Sequence, residues 1–245
     1  MITFSKLGKY GRFGNQMFQI AATISHAIKN NDIYCLPNWS YSHAFVGPFN
    51  ECSDFSWVTN IYTEPNFIYS DISYTKNTDL FGYFQSEKYF TEDIKNIFRP
   101  NDIVLAKYND YTDSCAIHVR RTDYLKYPDS HPFPGIKYYH DAMDMLSDQV
   151  DRFIIFSDDP QWCVENIKNK RSENILVING TEDWEDMIAI SACKHSIIAN
   201  STFSWWGSWI GDNENRIIIA PAIWFGQAYG NQMADDLRRK KWKLI

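Results

Sequence analysis

The chain has 245 residues, 44% of them hydrophobic and 22% charged, with a formal net charge of −6 and a pI near 5.5. This composition predicts a packed protein of one large or two small domains, and it excludes long disordered stretches. The acidic balance argues against a nucleic-acid partner but is compatible with one bound nucleotide.

The first half opens with the order strand, glycine loop, helix. Residues 2–7 predict a short strand, Gly8, Gly11 and Gly14 mark a loop, and apolar residues at helical spacing follow from Met17. Such an arrangement directs backbone N–H groups toward an anionic ligand, although the glycine spacing is not that of a dinucleotide fingerprint.

The rest of the first half has weaker patterns. Residues 37–82 are rich in aromatic residues, Asn and Ser and show little periodicity, so no element is assigned there. Residues 86–99 predict a helix that Pro100 closes, and residues 101–113 read as a linker.

The second half alternates short apolar runs with helical patterns, which predicts a parallel sheet. The predicted strands are residues 115–119, 153–156, 175–178, 197–199 and 217–220. The predicted helices are residues 137–149, 161–169, 182–193 and 202–210. The fold class is therefore α/β.

The cysteines are odd in number and widely spread, without a Cys-x-x-Cys pair. We expect all five to be buried free thiols: Cys35, Cys52, Cys115, Cys163 and Cys193. The sequence also lacks a secretory signal pattern and an apolar run long enough to span a membrane, which predicts a cytoplasmic protein.

Polar side chains follow the predicted strands, and in a parallel sheet these positions share one edge, where ligands bind. They are Arg120, Arg121, Asp123, Ser157, Asp158, Asp159, Asn179, Gly180, Asn200, Ser201 and Thr202. A solvated rim and a ligand site are both consistent with this pattern. The planar donor fork of arginine suits a diphosphate, and Ser201 or Thr202 either caps the helix that follows or binds a second anion.

Several other features narrow the chemistry. Asp186 falls on a predicted helix, either as a solvated side chain or as a partner for the N1 and N2 donors of guanine. Trp205, Trp206 and Trp209 are most simply core residues, with a platform for a sugar ring as the alternative. No Asp-x-Asp pair, Walker-type loop or G-x-S-x-G motif occurs, so we expect neither a metal-bridged diphosphate nor serine hydrolase chemistry.

Three motifs occur in order along the chain: residues 11–19 (GRFGNQMFQ), residues 118–124 (HVRRTDY) and residues 193–207 (CKHSIIANSTFSWWG). Together they resemble the alpha-1,2-fucosyltransferases of glycosyltransferase family 11. The resemblance implies a GT-B-like fold with two Rossmann-like halves facing a cleft. Residues 1–110 would form the acceptor side with the glycine loop, and residues 111–245 the nucleotide-sugar-binding half.

The resemblance also implies a reaction: inverting, metal-independent transfer of L-fucose from GDP-fucose to a galactose hydroxyl of a glycan. Arg120 inherits the contact with the donor β-phosphate and would stabilise departing GDP. The donor-binding positions are Gly14, Asn15, Gln16, His118, Arg120, Asp158, Asp186, Asn200, Ser201, Thr202, Phe203 and Ser204. Among them His118 and Asp186 would address guanine. Asp123 is the candidate general base, although a carboxylate beside an arginine is a weak one.

One departure affects linkage, because Thr122 stands where the alpha-1,2 family usually has glycine. The motif then reads as in alpha-1,6 enzymes, so that linkage stays an alternative, as does a non-catalytic GDP-sugar or glycan-binding module. The basic run at residues 237–243 is either a solvated terminal helix or a peripheral contact with an anionic membrane.

Overall fold

The computed structural model describes residues 1–168 and 174–245. These residues divide into two compact units, Met1–Asn101 and Asp102–Ile245. Each unit is built on a parallel sheet with helices, so the predicted α/β class is confirmed. Within the described ranges, no helix is both long and apolar enough to cross a membrane.

The first unit has a three-stranded sheet of order β1-β3-β2. Its elements are β1 (Ile2–Thr3), α1 (Phe13–Lys29), β2 (Asn60–Thr63), β3 (Thr78–Phe81) and α2 (Ile94–Ile97), with 3-10 turns at Ser42–Ala44 and Glu87–Tyr89. Helix α1 buries most of its length, as its apolar spacing predicts.

Two predictions for the first unit were wrong in extent. The first strand ends at Thr3 rather than at residue 7. The helix predicted over residues 86–99 is only a 3-10 turn and the short α2, because Phe90 takes an extended backbone (φ −145°, ψ 167°). Its ring is thereby buried, 6.1 Å from that of Phe18. Burial of an aromatic ring outweighs local helix propensity here.

The expectation of five free thiols was wrong for two of the cysteines. Cys35 and Cys52 form a disulfide, while Cys115, Cys163 and Cys193 are buried free thiols. The neighbouring residues Leu36 and Glu51 pair as a parallel β-bridge, which brings the two cysteines together. Because this pairing lies in a stretch without periodicity, the sequence pattern did not indicate it.

The second unit has a six-stranded sheet of order β6-β5-β4-β7-β8-β9, in which every pairing is parallel. The strands are β4 (Ser114–Val119), β5 (Arg152–Ser157), β6 (Ile175–Val177), β7 (His195–Ile197), β8 (Ile218–Ala220) and β9 (Lys243–Leu244). The helices are α3 (Asp102–Leu105), α4 (Ile136–Leu146), α5 (Pro160–Asn166), α6 (Asp183–Ala192) and α7 (Thr202–Ile210).

The predicted elements of this unit all exist; α7 has the predicted ends and the others have shifted ends. The expected linker contains α3 and a 3-10 segment, and residue 169, the predicted end of α5, lies outside the described residues. Strand β7 lies two residues earlier than predicted, because Ser201 N–H donates to the Ala199 carbonyl (2.8 Å) in a turn that ends the extended run. The tryptophans of α7 are buried, as expected of core residues.

Candidate active site

The strand order of the second unit locates its ligand site. From the first strand of the unit, β4, the chain winds outward through β5 and β6, then returns to place β7 on the other side of β4. In such sheets the crevice for a ligand opens at the carboxyl ends of the two strands where the order reverses. The segments that follow β4 and β7 are therefore the ones that a nucleotide would meet.

Arg120, just after β4, is held by a neighbouring carboxylate. Its Nε and Nη2 donate to the two oxygens of Asp123, at 2.8 and 2.7 Å. Asp158 Oδ2 lies 3.4 Å from the same Nε. The side chain of Arg120 keeps 20% exposure, so a charged fork remains accessible at this edge.

Asp158, at the end of β5, fixes the loop that follows β4. One oxygen accepts from the backbone N–H of Arg121 (2.9 Å), and the other accepts from the N–H (3.2 Å) and hydroxyl (2.5 Å) of Thr122. Arg121 in turn donates to Asp159 (2.5 Å) and lies over the ring of Trp162. Asp158 thus holds the loop that carries Arg121 and Thr122, and its role in donor binding stays a prediction.

His118 is buried inside β4, with 6% exposure, and its Nδ1 lies 2.8 Å from the hydroxyl oxygen of Ser204. Burial, reinforced by the charge of Arg120, lowers the pKa of His118 to about 3. The imidazole is therefore neutral at physiological pH and has one donor and one acceptor nitrogen. Its ring also packs against Phe203, at 5.0 Å between centroids.

Helix α7 begins beside His118 with a serine cap. Ser201 is the N-cap, and its hydroxyl oxygen accepts from the N–H of Phe203 at 3.4 Å. Thr202 is the first helical residue, and Ser204 is fully buried. The capping role raised by the sequence is confirmed for Ser201, and it leaves the helix dipole pointing its positive end toward the carboxyl edge of the sheet.

Asn200 joins three loops at the end of β7. Its Nδ2 donates to the carbonyls of Pro132 (3.0 Å) and Trp224 (2.8 Å), and its own carbonyl accepts from the hydroxyl of Tyr124 (2.8 Å). Its Oδ1 is buried without a partner in the described part of the chain. The side chain is 1% exposed. Asn200 therefore anchors the loops that surround the site, and its role in donor binding stays a prediction.

Asp186 lies in the first turn of α6 and accepts a hydrogen bond from the Thr181 hydroxyl. Burial raises the pKa of Asp186 to about 6, although the Thr181 bond acts in the opposite direction. A carboxylate with a raised pKa that follows a strand of a nucleotide-binding sheet is a candidate functional group.

In the first unit, Gly14, Asn15 and Gln16 belong to the first turn of α1. The prediction that Gly14 lies in the glycine loop was therefore wrong, because the helix begins at Phe13. Asn15 Oδ1 accepts from Gln85 Nε2 (3.0 Å), and Gln16 Oε1 accepts from the indole N–H of Trp39 (2.9 Å). These side chains form a fixed internal network. Whether they contact a donor stays a prediction.

The sequence profile of the family described as Glycosyl transferase family 11 matches residues 62–245. That range includes the whole second unit, with every site residue from His118 onward. The chain belongs to glycosyl transferase family 11. The family predicted from the three motifs is therefore confirmed.

Named relatives of this family 11 glycosyltransferase include two from Escherichia coli. An alpha-1,2-colitosyltransferase is 30% identical over 96% of this chain and 96% of its own. The O-antigen biosynthesis glycosyltransferase WbnK is 34% identical, over 60% of this chain and 55% of its own. Galactoside alpha-(1,2)-fucosyltransferase 1 of Leontopithecus chrysomelas is 22% identical, over 83% and 64%. The match thus spans just over half of WbnK and under two thirds of the primate enzyme.

Solved structures of fucosyltransferases share the fold. POFUT1 in complex with GDP-fucose matches with a TM-score of 0.57 at 10% identity, over 89% of this chain and 97% of that one. A mutant of Arabidopsis thaliana FUT1 in complex with GDP matches with a TM-score of 0.54 at 11% identity, over 89% and 69%. The similarity establishes the GT-B fold type for this family 11 chain.

His131 of this glycosyltransferase lies near Arg120 and was not among the site residues predicted from the sequence. His131 stacks on Tyr124, with 5.2 Å between ring centroids, and its Nδ1 is buried without a partner among residues 1–168 and 174–245. Burial lowers its pKa, while the charge of Asp123 raises it. His131 lies in an aperiodic loop between β4 and α4, so no pattern in the sequence pointed to it.

A separate cavity of about 610 Å³ lies at the opposite edge of the same sheet. It is lined by the amino ends of β4, β5 and β6 through Ser114, Arg152 and Ile175, and by several aspartates. It therefore lies at the edge opposite to the one where parallel sheets bind their ligands.

Proposed function

We propose that this glycosyltransferase moves L-fucose from GDP-fucose onto a galactose hydroxyl of a glycan, forming an alpha-1,2 linkage with inversion and without a metal ion. The observation that carries the proposal is the position of Arg120. Its guanidinium follows β4 at the reversal of strand order, in the same crevice where the positive end of α7 points. Both features favour a bound diphosphate.

The donor half of the proposal assigns roles to the buried and half-buried polar groups that follow the strands. Neutral His118 and the carboxylate of Asp186 have the donors and acceptors needed to pair with guanine. Ser201, Thr202 and Phe203 would contribute N–H groups and hydroxyls to the phosphates. These assignments come from the family motif, and the burial of His118 and the raised pKa of Asp186 support them.

The proposed chemistry requires the bond between the anomeric carbon and the GDP oxygen to break while an acceptor hydroxyl attacks from the opposite face. Negative charge develops on the departing diphosphate, and the Arg120 guanidinium would stabilise it in place of a metal ion. A preorganised hydrogen-bond donor of this kind typically lowers the activation barrier by about 3 kcal/mol. The acceptor hydroxyl gives up its proton to water as the new bond forms, so the products are GDP, the fucosylated glycan and one proton.

For the acceptor we propose the first unit. At the carboxyl ends of β1 and β3, four half-buried aromatic rings stack in a row. Tyr10 lies 4.8 Å from Phe81 and 4.6 Å from Tyr83, and Tyr83 lies 5.7 Å from Phe67, measured between ring centroids. Aromatic faces and edges suit the C–H surface of a galactose ring, and the edge formed by the strand ends is the one at which parallel sheets bind ligands. Tyr10→Ala should then raise the acceptor KM and leave the donor KM unchanged.

A second donor is favoured by one comparison. The E. coli relative that matches over nearly the full length of both chains is named a colitosyltransferase. Colitose is fucose without its 3-hydroxyl group, so a site that makes no hydrogen bond to that hydroxyl would accept either sugar. Parallel assays with the two GDP-sugars separate the candidates.

Location and membrane contact are also proposals. In the basic run at residues 237–243, Arg238 pairs with Asp235, and Arg239 and Lys241 both pair with Asp212. These pairs leave Lys240 and Lys243 as the charges of the run that could contact an anionic membrane. If the run makes that contact, its deletion should lower liposome binding, and unchanged binding would refute the contact. A cytoplasmic location is harder to reconcile with the disulfide of the first unit, since such bonds are rare in reducing compartments.

The deciding experiment measures GDP release from GDP-fucose in EDTA, with galactose-terminated glycans, for the wild type and Arg120→Ala. Arg152→Ala is the matched control, because this arginine lies at the opposite edge of the sheet and pairs with Asp110. Acceptor-dependent release that collapses only in Arg120→Ala supports the proposal, and product linkage analysis distinguishes alpha-1,2 from alpha-1,6. Activity that requires added metal would refute the metal-independent mechanism, and no release with any GDP-sugar would refute the donor class.

A further inference from the structure

The contacts of Arg120 divide its guanidinium into two edges. The Nε–Nη2 edge is filled by the two oxygens of Asp123, at 2.8 and 2.7 Å. A guanidinium has five N–H donors, and this side-on pairing uses two of them. The two hydrogens of Nη1 and one of Nη2 have no hydrogen-bond partner among the residues that the structure describes. They form the end-on fork, the edge that can bind two phosphate oxygens at once.

We propose that Asp123 is a positioning residue that holds Arg120 side-on, so that the end-on fork is presented to the diphosphate of the donor. This inference rests on the proposed function, since it assumes a GDP-sugar at the carboxyl ends of β4 and β7. It also differs from the general-base role suggested by the sequence. Both carboxylate oxygens accept hydrogen bonds from Arg120, and a carboxylate paired with a guanidinium is a weak base.

The loop that carries Asp123 is itself fixed from the neighbouring strand. Asp158 accepts from the backbone N–H groups of Arg121 and Thr122, the two residues between Arg120 and Asp123. The Thr122 hydroxyl adds a third bond to Asp158, at 2.5 Å, which a glycine at this position could not make. Thr122 therefore stiffens the positioning loop, a role independent of the product linkage.

Charge alone predicts the opposite effect of removing Asp123. The loop and the end of β5 carry two guanidiniums, of Arg120 and Arg121, against the three carboxylates of Asp123, Asp158 and Asp159. Loss of any one carboxylate makes the surroundings less negative, which should strengthen the binding of anionic GDP. A positioning role instead requires that loss of Asp123 weakens GDP binding. The sign of the change thus separates the two explanations.

The test is calorimetric titration of the full chain with GDP. Asp123→Asn, close in shape, should raise the Kd for GDP about tenfold, because the amide cannot accept both guanidinium N–H groups. Asp159→Asn is the matched control. This variant also removes one negative charge, here from Asp159, the partner of Arg121, and asparagine can still cap α5. The Kd of the Asp159→Asn variant for GDP should therefore stay at or below the wild-type value.

A double-mutant cycle shows whether Asp123 acts through Arg120. In an Arg120→Ala background, the further change Asp123→Asn should no longer raise the Kd for GDP, which should stay unchanged or fall because one negative charge is lost. In turnover assays Asp123→Asn should raise the donor KM, while the acceptor KM and the shape of the pH–rate profile are retained. A general base would behave differently: kcat would fall with the GDP Kd unchanged, and the limb of the profile that reports the base would vanish.

Three results would overturn the inference: tighter or equal GDP binding by Asp123→Asn, an undiminished effect in the Arg120→Ala background, or the general-base pattern. Asp123→Ser, measured in parallel, guards against a folding defect peculiar to the amide, and thermal unfolding reports the integrity of each variant. If the wild type itself does not bind GDP, the donor assignment fails, and this inference fails with it. Wild-type binding together with any of the three results overturns this inference alone.

Discussion

Acid should destabilise the second unit through His118, and the size of the effect follows from its burial. The ordinary pKa of histidine is 6.5, whereas burial and the charge of Arg120 lower that of His118 to about 3. Between these two pH values the imidazole of His118 is protonated in the unfolded chain and neutral in the folded protein. The stability contributed by neutral His118 is therefore complete above pH 6.5 and is lost as the pH falls toward 3.

The perturbation is His118→Asn, whose amide can still bond to Ser204 but does not titrate. Between pH 7.5 and pH 5.0, protonation of the unfolded imidazole should cost the wild type about 2 kcal/mol of unfolding free energy that the variant does not lose. The cavity left by the smaller side chain destabilises the variant equally at both pH values. Other groups that titrate in this range contribute to both proteins and cancel in the comparison.

Urea unfolding at the two pH values, followed by tryptophan fluorescence, measures this difference, because most of the tryptophans lie in the second unit. His43→Gln is a suitable control, since that histidine is exposed and lies in the first unit. If the wild type and His118→Asn lose stability equally with acidification, the folded protein admits a proton to His118. The neutral, buried imidazole inferred above would then be refuted.

Three further predictions follow from other contacts. The buried guanidinium of Arg216 donates to three backbone carbonyls around the C-terminal end of α6 and to one at the C-terminal end of α7. Arg216→Met should therefore lower the unfolding free energy by about 3 kcal/mol, with Arg216→Lys intermediate, in urea titrations. Reduction of the Cys35–Cys52 disulfide should destabilise the protein by about 3 kcal/mol in thermal unfolding, and alkylation of the denatured, unreduced chain should detect only three thiols. Because burial raises the pKa of Asp186 to about 6, GDP affinity should fall as the pH drops below 6, and Asp186→Asn should bind weakly without this pH dependence in calorimetric titrations.

The sequence predicted regular elements best where burial is two-sided. Strands β4 and β5 have buried apolar centres, residues 115–117 and 153–156, and α7 was predicted with its observed ends, Thr202–Ile210. Prediction failed where tertiary contacts override local preference, as at Phe90, whose buried ring interrupts a helical pattern. It also failed where distant segments meet, as in the Cys35–Cys52 pair.

The residues of the candidate site were visible in the sequence because the chemistry of a motif is local. His118, Arg120 and Asp123 lie within six residues, and Ser201 to Ser204 open one helix. What each side chain contacts was not visible. The pairing of Arg120 with Asp123 depends on a loop geometry set by Asp158, which is supplied by a different strand.

By itself, then, the sequence determined the α/β class, the family and the set of polar residues that follow each strand, since these depend on composition, periodicity and short motifs. Only the tertiary structure decided that β4 and β7 are neighbours where the strand order reverses, that His118 is buried against Ser204, and that Arg120 is held side-on. The physical reason is that burial, and the hydrogen bonds and pKa shifts that come with it, arise from segments far apart in the chain.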